Sequence, residues 1–277
     1  MNDSLPTATF ATRAHERTSH RYSFIPTTDV ISALAEDGWV AEHGSQKRVR
    51  DKSREGFQTH IINFYHPDVQ PVNGQDRFSL MGRFSHDRSS SILLMAGINV
   101  FACSNGLIMS DHEVGRHRFI HRDIDLNEVV SAARKLVDAI PNLQNRVNRW
   151  KEITLSPAAQ IELAQAGAVA RWGSTRIPGS KAPAAEILLQ ARRFADRGPS
   201  LWHTFNRVQE NLVKGTEYWA RGGGRTNRWR NVQRRTRAVN GVDQNIDLNT
   251  TLWDLARRTE EGLPLLANTE DGTLVLA

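Results

Sequence analysis

Hydrophobic positions change their period along this chain, and the changes divide it into regions. After Tyr22, residues Val30, Ile31, Leu34 and Ala35 recur at helical spacing and stop at Gly38, with Thr27 or Thr28 placed to cap the first turn. Trp39 follows at once. The next segments read as strands: 40–49, 59–65, 77–84, 91–103 and 107–120, parted by Pro67-Asp68, Asn73-Gly74, His86-Asp87 and Asn105-Gly106. Within 77–84, Phe78 and Leu80 alternate with Arg77, Ser79 and Met81, the period-two pattern of a half-buried strand. No helix-length segment interrupts these strands, so an antiparallel meander is expected rather than parallel crossovers.

From Asp125 the period becomes helical. Leu126, Val129, Val130, Ala133, Leu136 and Val137 form one stripe, Asp125 and Glu128 have capping-box spacing, and Pro141 separates a second stretch through Leu143, Val147 and Trp150. Ser156-Pro157 opens a helix that stops near Gly173. Further helices are predicted over 183–196 and 200–214, and a last one capped by Asp247 and ending near Gly262. The predicted class is α+β: a short N-terminal helix, an antiparallel β-meander, then a mostly helical C-terminal half. One composite domain is expected, with a mobile tail over 1–20, a sheet region over 21–124, a helical region over 125–262 and a C-terminal tail over 263–277. That last tail has room for a small hairpin around Asp271-Gly272.

Composition narrows the function classes. Of 277 residues, 39% are hydrophobic and 24% charged, an ordinary soluble globular balance. The single cysteine, Cys103, excludes an intramolecular disulfide framework and a multi-cysteine zinc site and fits a reducing compartment. The longest apolar run, 92–103, falls short of the ~20 residues of a membrane span. A cytoplasmic protein without a membrane anchor is the expectation.

Charge changes the picture more. The net charge is +6, but residues 214–237 hold Lys214, Arg221, Arg225, Arg228, Arg230, Arg234, Arg235 and Arg237 against Glu217 alone. That segment is +7, so the rest of the chain sums to −1. It reads as a basic loop, with Gly222-Gly223-Gly224 supplying pliancy and Tyr218, Trp219 and Trp229 supplying aromatic faces. Guanidinium groups match phosphate oxygens, and aromatic rings stack on unpaired bases. A smaller cluster, Arg48, Arg50 and Lys52 with Lys47 and Arg54 around them, occupies an expected hairpin tip and offers a second contact surface.

Other chemistry is thinner. His112, His117 and His121 lie near Asp111, Glu113 and Asp123, but their spacing matches no established ligand pattern, and ordinary hydrogen-bonding histidines are the simpler reading. Residues 173–181 resemble a phosphate-binding loop but miss the glycine spacing. No signature calls for a cofactor, a metal or a catalytic triad.

Several blocks resemble a known family, domain of unknown function 932, found in phage- and plasmid-like proteins. They are Arg21-Tyr22-Ser23-Phe24-Ile25-Pro26-Thr27, Lys47-Arg48-Val49-Arg50-Asp51, Phe101-Ala102-Cys103-Ser104-Asn105-Gly106, and His121. Densest are Leu201-Trp202, Gln209-Glu210-Asn211-Leu212-Val213-Lys214-Gly215, Thr236-Arg237-Ala238-Val239 and Ile246-Asp247-Leu248-Asn249. The resemblance implies a mobile-element setting, marks Cys103, Asn105, Gly106 and His121 as family positions, and brings no activity. The succession of amphipathic helix, Gly-Trp, meander and long helix is also similar to phage single-strand annealing proteins, which form rings; this is an analogy of layout, and it admits a homo-oligomer. The resulting expectation is a non-enzymatic protein that binds nucleic acid, single-stranded DNA first. The alternatives are a protein-binding anti-restriction factor and a metal-dependent nuclease built on 111–123.

Overall fold

In the computed structural model, which describes residues 5–69, 71–73, 76–99, 116–177, 184–223, 229–270 and 272–277, the chain divides into two units, 1–144 and 145–277. The first contains α1 (Thr27–Glu36), β1 (Val40–Gln46), β2 (His60–Tyr65), β3 (Pro71–Asn73), β4 (Asp76–Phe84), β5 (Ile92–Asn99), β6 (Arg116–Phe119) and α2 (Leu126–Asp138). The strands pair antiparallel in the order β1-β2-β4-β5-β6, with the short β3 also on β4. This is the expected meander, α+β in class.

Two local readings change. Period two in β4 predicts one buried face, yet Ser79 and Met81 are as buried as Phe78 and Leu80. Pairing with β2 and β5 closes only the edges of β4; its two faces are buried by packing from outside the sheet, α2 among the elements that touch it. Thr27 does not cap α1; Pro26 holds that position without a side-chain bond, and Thr27 is fully buried. Asp125, by contrast, caps α2 as expected, its carboxylate accepting from the Glu128 amide at 2.9 Å. Upstream of Tyr22, where the sequence reads as a tail, residues 7–10 form a 3-10 turn with Ala8 and Thr9 buried. Gln46 Oε1 accepts there from the Ala8 amide at 3.2 Å.

α3 (Ile140–Glu152) starts in the first unit and continues into the second. The second unit then adds α4 (Pro157–Trp172), α5 (Ala184–Leu188), α6 (Leu201–Lys214), β7 (Glu217–Gly223), β8 (Trp229–Arg235), α7 (Val242–Glu260), β9 (Leu266–Asn268) and β10 (Leu274–Leu276). Helices α4, α6 and α7 pack on one another. A Cβ on Gly167 would lie 2.9 Å from Val208 and 3.3 Å from Leu252, so only glycine admits this crossing without displacement. Trp150, Phe205 and Trp253 fill the bundle, with Trp150 and Trp253 4.4 Å apart, pairs that add roughly 1 kcal/mol each beyond burial.

The helix predicted over 183–196 is shorter: α5 ends at Leu188 and a 3-10 turn follows at Phe194–Asp196. The last helix begins five residues before Asp247, at Val242, with Gly241 at its N-cap. The segment 214–237 is not a loop but a hairpin, β7 paired to β8. The β9–β10 hairpin turns around Gly272, at φ +77, where a left-handed residue is needed.

Candidate functional site

The β7–β8 hairpin grows directly from α6. Gly215 ends the helix at φ +75, and a Cβ there would lie 2.3 Å from the Thr236 carbonyl, so the two strands enter at backbone contact. Reciprocal bonds close the base: the Thr236 amide donates to the Thr216 carbonyl at 2.9 Å, and the Thr216 amide to Thr236 Oγ1 at 2.8 Å. Cross-strand partners share a face, so positions 217, 219, 221 and 223 stand in one row with 235, 233, 231 and 229. The other row contains Tyr218, which is buried and sets the packed side.

The open row carries Trp219, 65% exposed, with Arg235 and Gln233 also exposed. Arg221 and Trp229 occupy register positions in that row, and Arg230 in the other. Arg234 is exposed although it stands in the row of Tyr218, and Arg237, two residues past β8, is exposed as well. Arg225 and Arg228 lie outside the described residues. Lys214 is drawn back into the helix, its Nζ 2.9 Å from Glu210. Glu217, the sole acid of the segment, accepts from Gln233 Nε2 at 2.9 Å.

Beneath the hairpin, α6 buries an unusual number of polar groups. Glu210 meets Lys214 and Arg193, Asp196 accepts from Asn206 at 3.1 Å, and Gln209 donates to Asn249 at 3.0 Å. Asn211 donates to the Leu188 and Gln190 carbonyls, which fixes its amide so that Oδ1 accepts from Arg192 Nε at 2.8 Å. The Gln209-Glu210-Asn211 block is thus an anchor: it ties α6 to the 188–196 segment and α7, because buried polar groups must be paired.

In the first unit, Arg48, Arg50 and Lys52 are exposed, on the segment between β1 and β2. Arg54 is different. Its half-buried guanidinium grips the buried Asp87 carboxylate at 2.6 and 2.9 Å, so its charge is met within the fold.

That ion pair borders a cluster which the sequence pattern does not reveal. Thr27 Oγ1 lies 2.9 Å from His60 Nε2 and 3.0 Å from His86 Nε2. Tyr22 stacks on His121 at 4.5 Å and donates to the Ser85 carbonyl. Burial pushes His60 down to about 4; burial and the neighbouring His60 and His121 rings push His86 to about 3; burial also lowers His121. Tyr22 is raised by burial and by the Asp87 charge. Burial alone would raise Asp87, but bonds from Ser89, Ser85 and Arg54 outweigh it and hold the carboxyl below its ordinary value. These are neutral rings in a closed space. His121, singled out as a family position, is a core residue hydrogen-bonded to the Ser23 carbonyl at 3.1 Å. The signal for the rest was weak: His60 begins a mostly apolar strand, and His86 stands in a turn.

Among the described residues no three histidine, cysteine or acidic side chains could hold a metal ion. Cys103, Asn105, Gly106, Asp111, His112 and Glu113 lie outside the described residues. No described helix is long and apolar enough to cross a membrane.

A family model described as a domain of unknown function, DUF932, matches residues 14–253. Two relatives from Escherichia coli (strain K12), UPF0380 protein YafZ and UPF0380 protein YfjQ, are each 29% identical over 248 residues, which is 89% of this chain and 85% of theirs. No solved structure matches. The family match ends inside α7, so β9–β10 lies beyond it.

Proposed function

The chain belongs to the DUF932 family, and from that membership and the geometry of β7–β8 we propose that it is a nucleic-acid-binding protein of phage or plasmid origin. The hairpin takes single-stranded DNA, in recombination, repair or replication. One observation carries this reading: Arg234, Arg235 and Arg237 are exposed and have no carboxylate partner among the described residues, next to an exposed Trp219. Other arginines are neutralised in place, Arg54 by Asp87, Arg134 by Asp37, Arg149 by Glu260 and Arg257 by Asp254 and Glu261. Exposed guanidinium groups without carboxylates, Arg235 in the row of Trp219 and Arg234 and Arg237 close to it in sequence, suit a strand that offers phosphates and unstacked bases together. Nothing in the hairpin resembles a helix presented to a major groove, so duplex reading is disfavoured.

The test is fluorescence anisotropy with a labelled oligothymidylate. Binding is expected to weaken with salt, log affinity falling by about 0.7 per phosphate contact for each unit of log salt. Replacing Arg228, Arg230, Arg234 and Arg235 together by Ala should abolish most of it. Unchanged binding by that variant overturns the proposal, as does recovery of a single protein partner, and no nucleic acid, from cell extracts.

A further inference from the structure

At the base of the hairpin is a polar cavity of about 280 Å³, lined by Gln190, Arg192, Asn211, Thr216, Glu217 and Arg235 among others. Arg192 differs from the paired arginines. Its Nε donates to Asn211 Oδ1 at 2.8 Å and its Nη2 to the Gly215 carbonyl, both neutral acceptors. It has no carboxylate partner among the described residues, and its remaining N–H groups have no acceptor there. The support is rigid at both ends. Asn211 is 1% exposed and held by two backbone carbonyls, and Gly215 adjoins Thr216, which is bonded twice to Thr236. An arginine fixed by neutral groups keeps its full charge and a set orientation, the conditions for a fork donated to an oxyanion. Arg235 brings a second unpaired cation to the same cavity, and the one acid present, Glu217, is engaged by Gln233.

We propose that this cavity is a phosphodiester subsite: Arg192, positioned by Asn211, and Arg235 hold one backbone phosphate of the strand where it leaves the open face of β7–β8. The inference rests on the nucleic-acid reading above and adds to it a contact outside the basic segment. It also gives the Gln209-Glu210-Asn211 block a purpose beyond packing, since its last member aims the cation.

The experiment compares wild type, Arg192→Gln and Arg192→Lys by anisotropy with labelled oligothymidylate across a salt series, with melting temperatures of all three. Arg192→Gln is expected to lose about tenfold in affinity, its salt slope falling by about 0.7 while its melting temperature stays near that of wild type. Arg192→Lys is expected to keep the slope but recover only part of the affinity, because an ammonium cannot reproduce the fork. Wild type that binds no oligothymidylate overturns the hairpin reading and this inference with it. Wild type that binds, with Arg192→Gln binding equally well or losing affinity at an unchanged slope, overturns the subsite alone. A parallel arm adds inorganic phosphate: if it raises the melting temperature of wild type but not of Arg192→Gln, and both bind the oligonucleotide alike, the cavity serves a small phosphate instead and the inference fails.

Discussion

The histidine cluster of the first unit and the arginine hairpin of the second are two polar concentrations of this protein, and they handle charge in opposite ways. Around Thr27 the rings of His60 and His86 are buried and neutral and share one hydroxyl through their Nε2 atoms, and Asp87 has its own arginine. At β7–β8, Arg234, Arg235 and Arg237 are exposed and lack carboxylate partners among the described residues. Burying a charge costs several kcal/mol unless it is paired, so the cluster avoids charge and serves the fold. Exposed arginines cost little to keep and stabilise little, so the fold itself gives no reason for them, in keeping with the binding role proposed for the hairpin. Burial and pairing, more than residue type, separate structural polarity from functional polarity here.

Acid should break the comparison most sharply. In the unfolded chain both histidines titrate near 6.5, while in the fold they are held at about 4 and about 3. The unfolded state therefore takes up protons first as pH falls. Stability that is fully present above pH 6.5 is lost as pH drops toward 4 and 3, by about 4 kcal/mol for the pair between pH 7 and 5. Urea unfolding followed at both values measures this, and a pH-independent unfolding free energy would contradict the closed, neutral cluster. Next comes Thr27→Val, which keeps the shape and removes the shared hydroxyl. It should cost about 2 kcal/mol at pH 7 by leaving two imidazole nitrogens unsatisfied, with oligonucleotide affinity unaltered.

The hairpin should answer the other way. Trp219→Ala is expected to lower single-strand affinity by about 1–2 kcal/mol, near tenfold, while changing unfolding free energy by less than about 0.5 kcal/mol. Smallest is Arg237→Gln, a severalfold loss of affinity with the salt slope reduced by about 0.7 and the unfolding midpoint unmoved. If either hairpin variant unfolds the protein, the division between the two regions is wrong.

Much of the frame is legible before any coordinates. The meander, the Asp125 and Ser156 caps, the helix over 200–214 and the C-terminal hairpin follow from period and turn chemistry, because these are local preferences. The readings that fail depend on distant neighbours. β4 is buried on both faces by packing from outside the sheet, including α2 far away in sequence, and Thr27 looks like a cap until His60 and His86 arrive beside it. The basic segment is visible as composition, but glycines and arginines of low strand preference read as a loop. Pairing across the hairpin, closed at Thr216 and Thr236, overrides that preference.

By itself, then, the sequence determined the α+β succession, the position of the charge within 214–237 and the membership of a family. Those follow from local periodicity, simple counting and residue identity. Only the tertiary structure decided which polar residues are silent and which are available. Arg54 looks like its cationic neighbours in a count, yet meets Asp87 through the fold, whereas Arg192, outside the basic segment, meets only neutral groups. Whether a charge is cancelled is a property of distances across the chain, and no local pattern carries those.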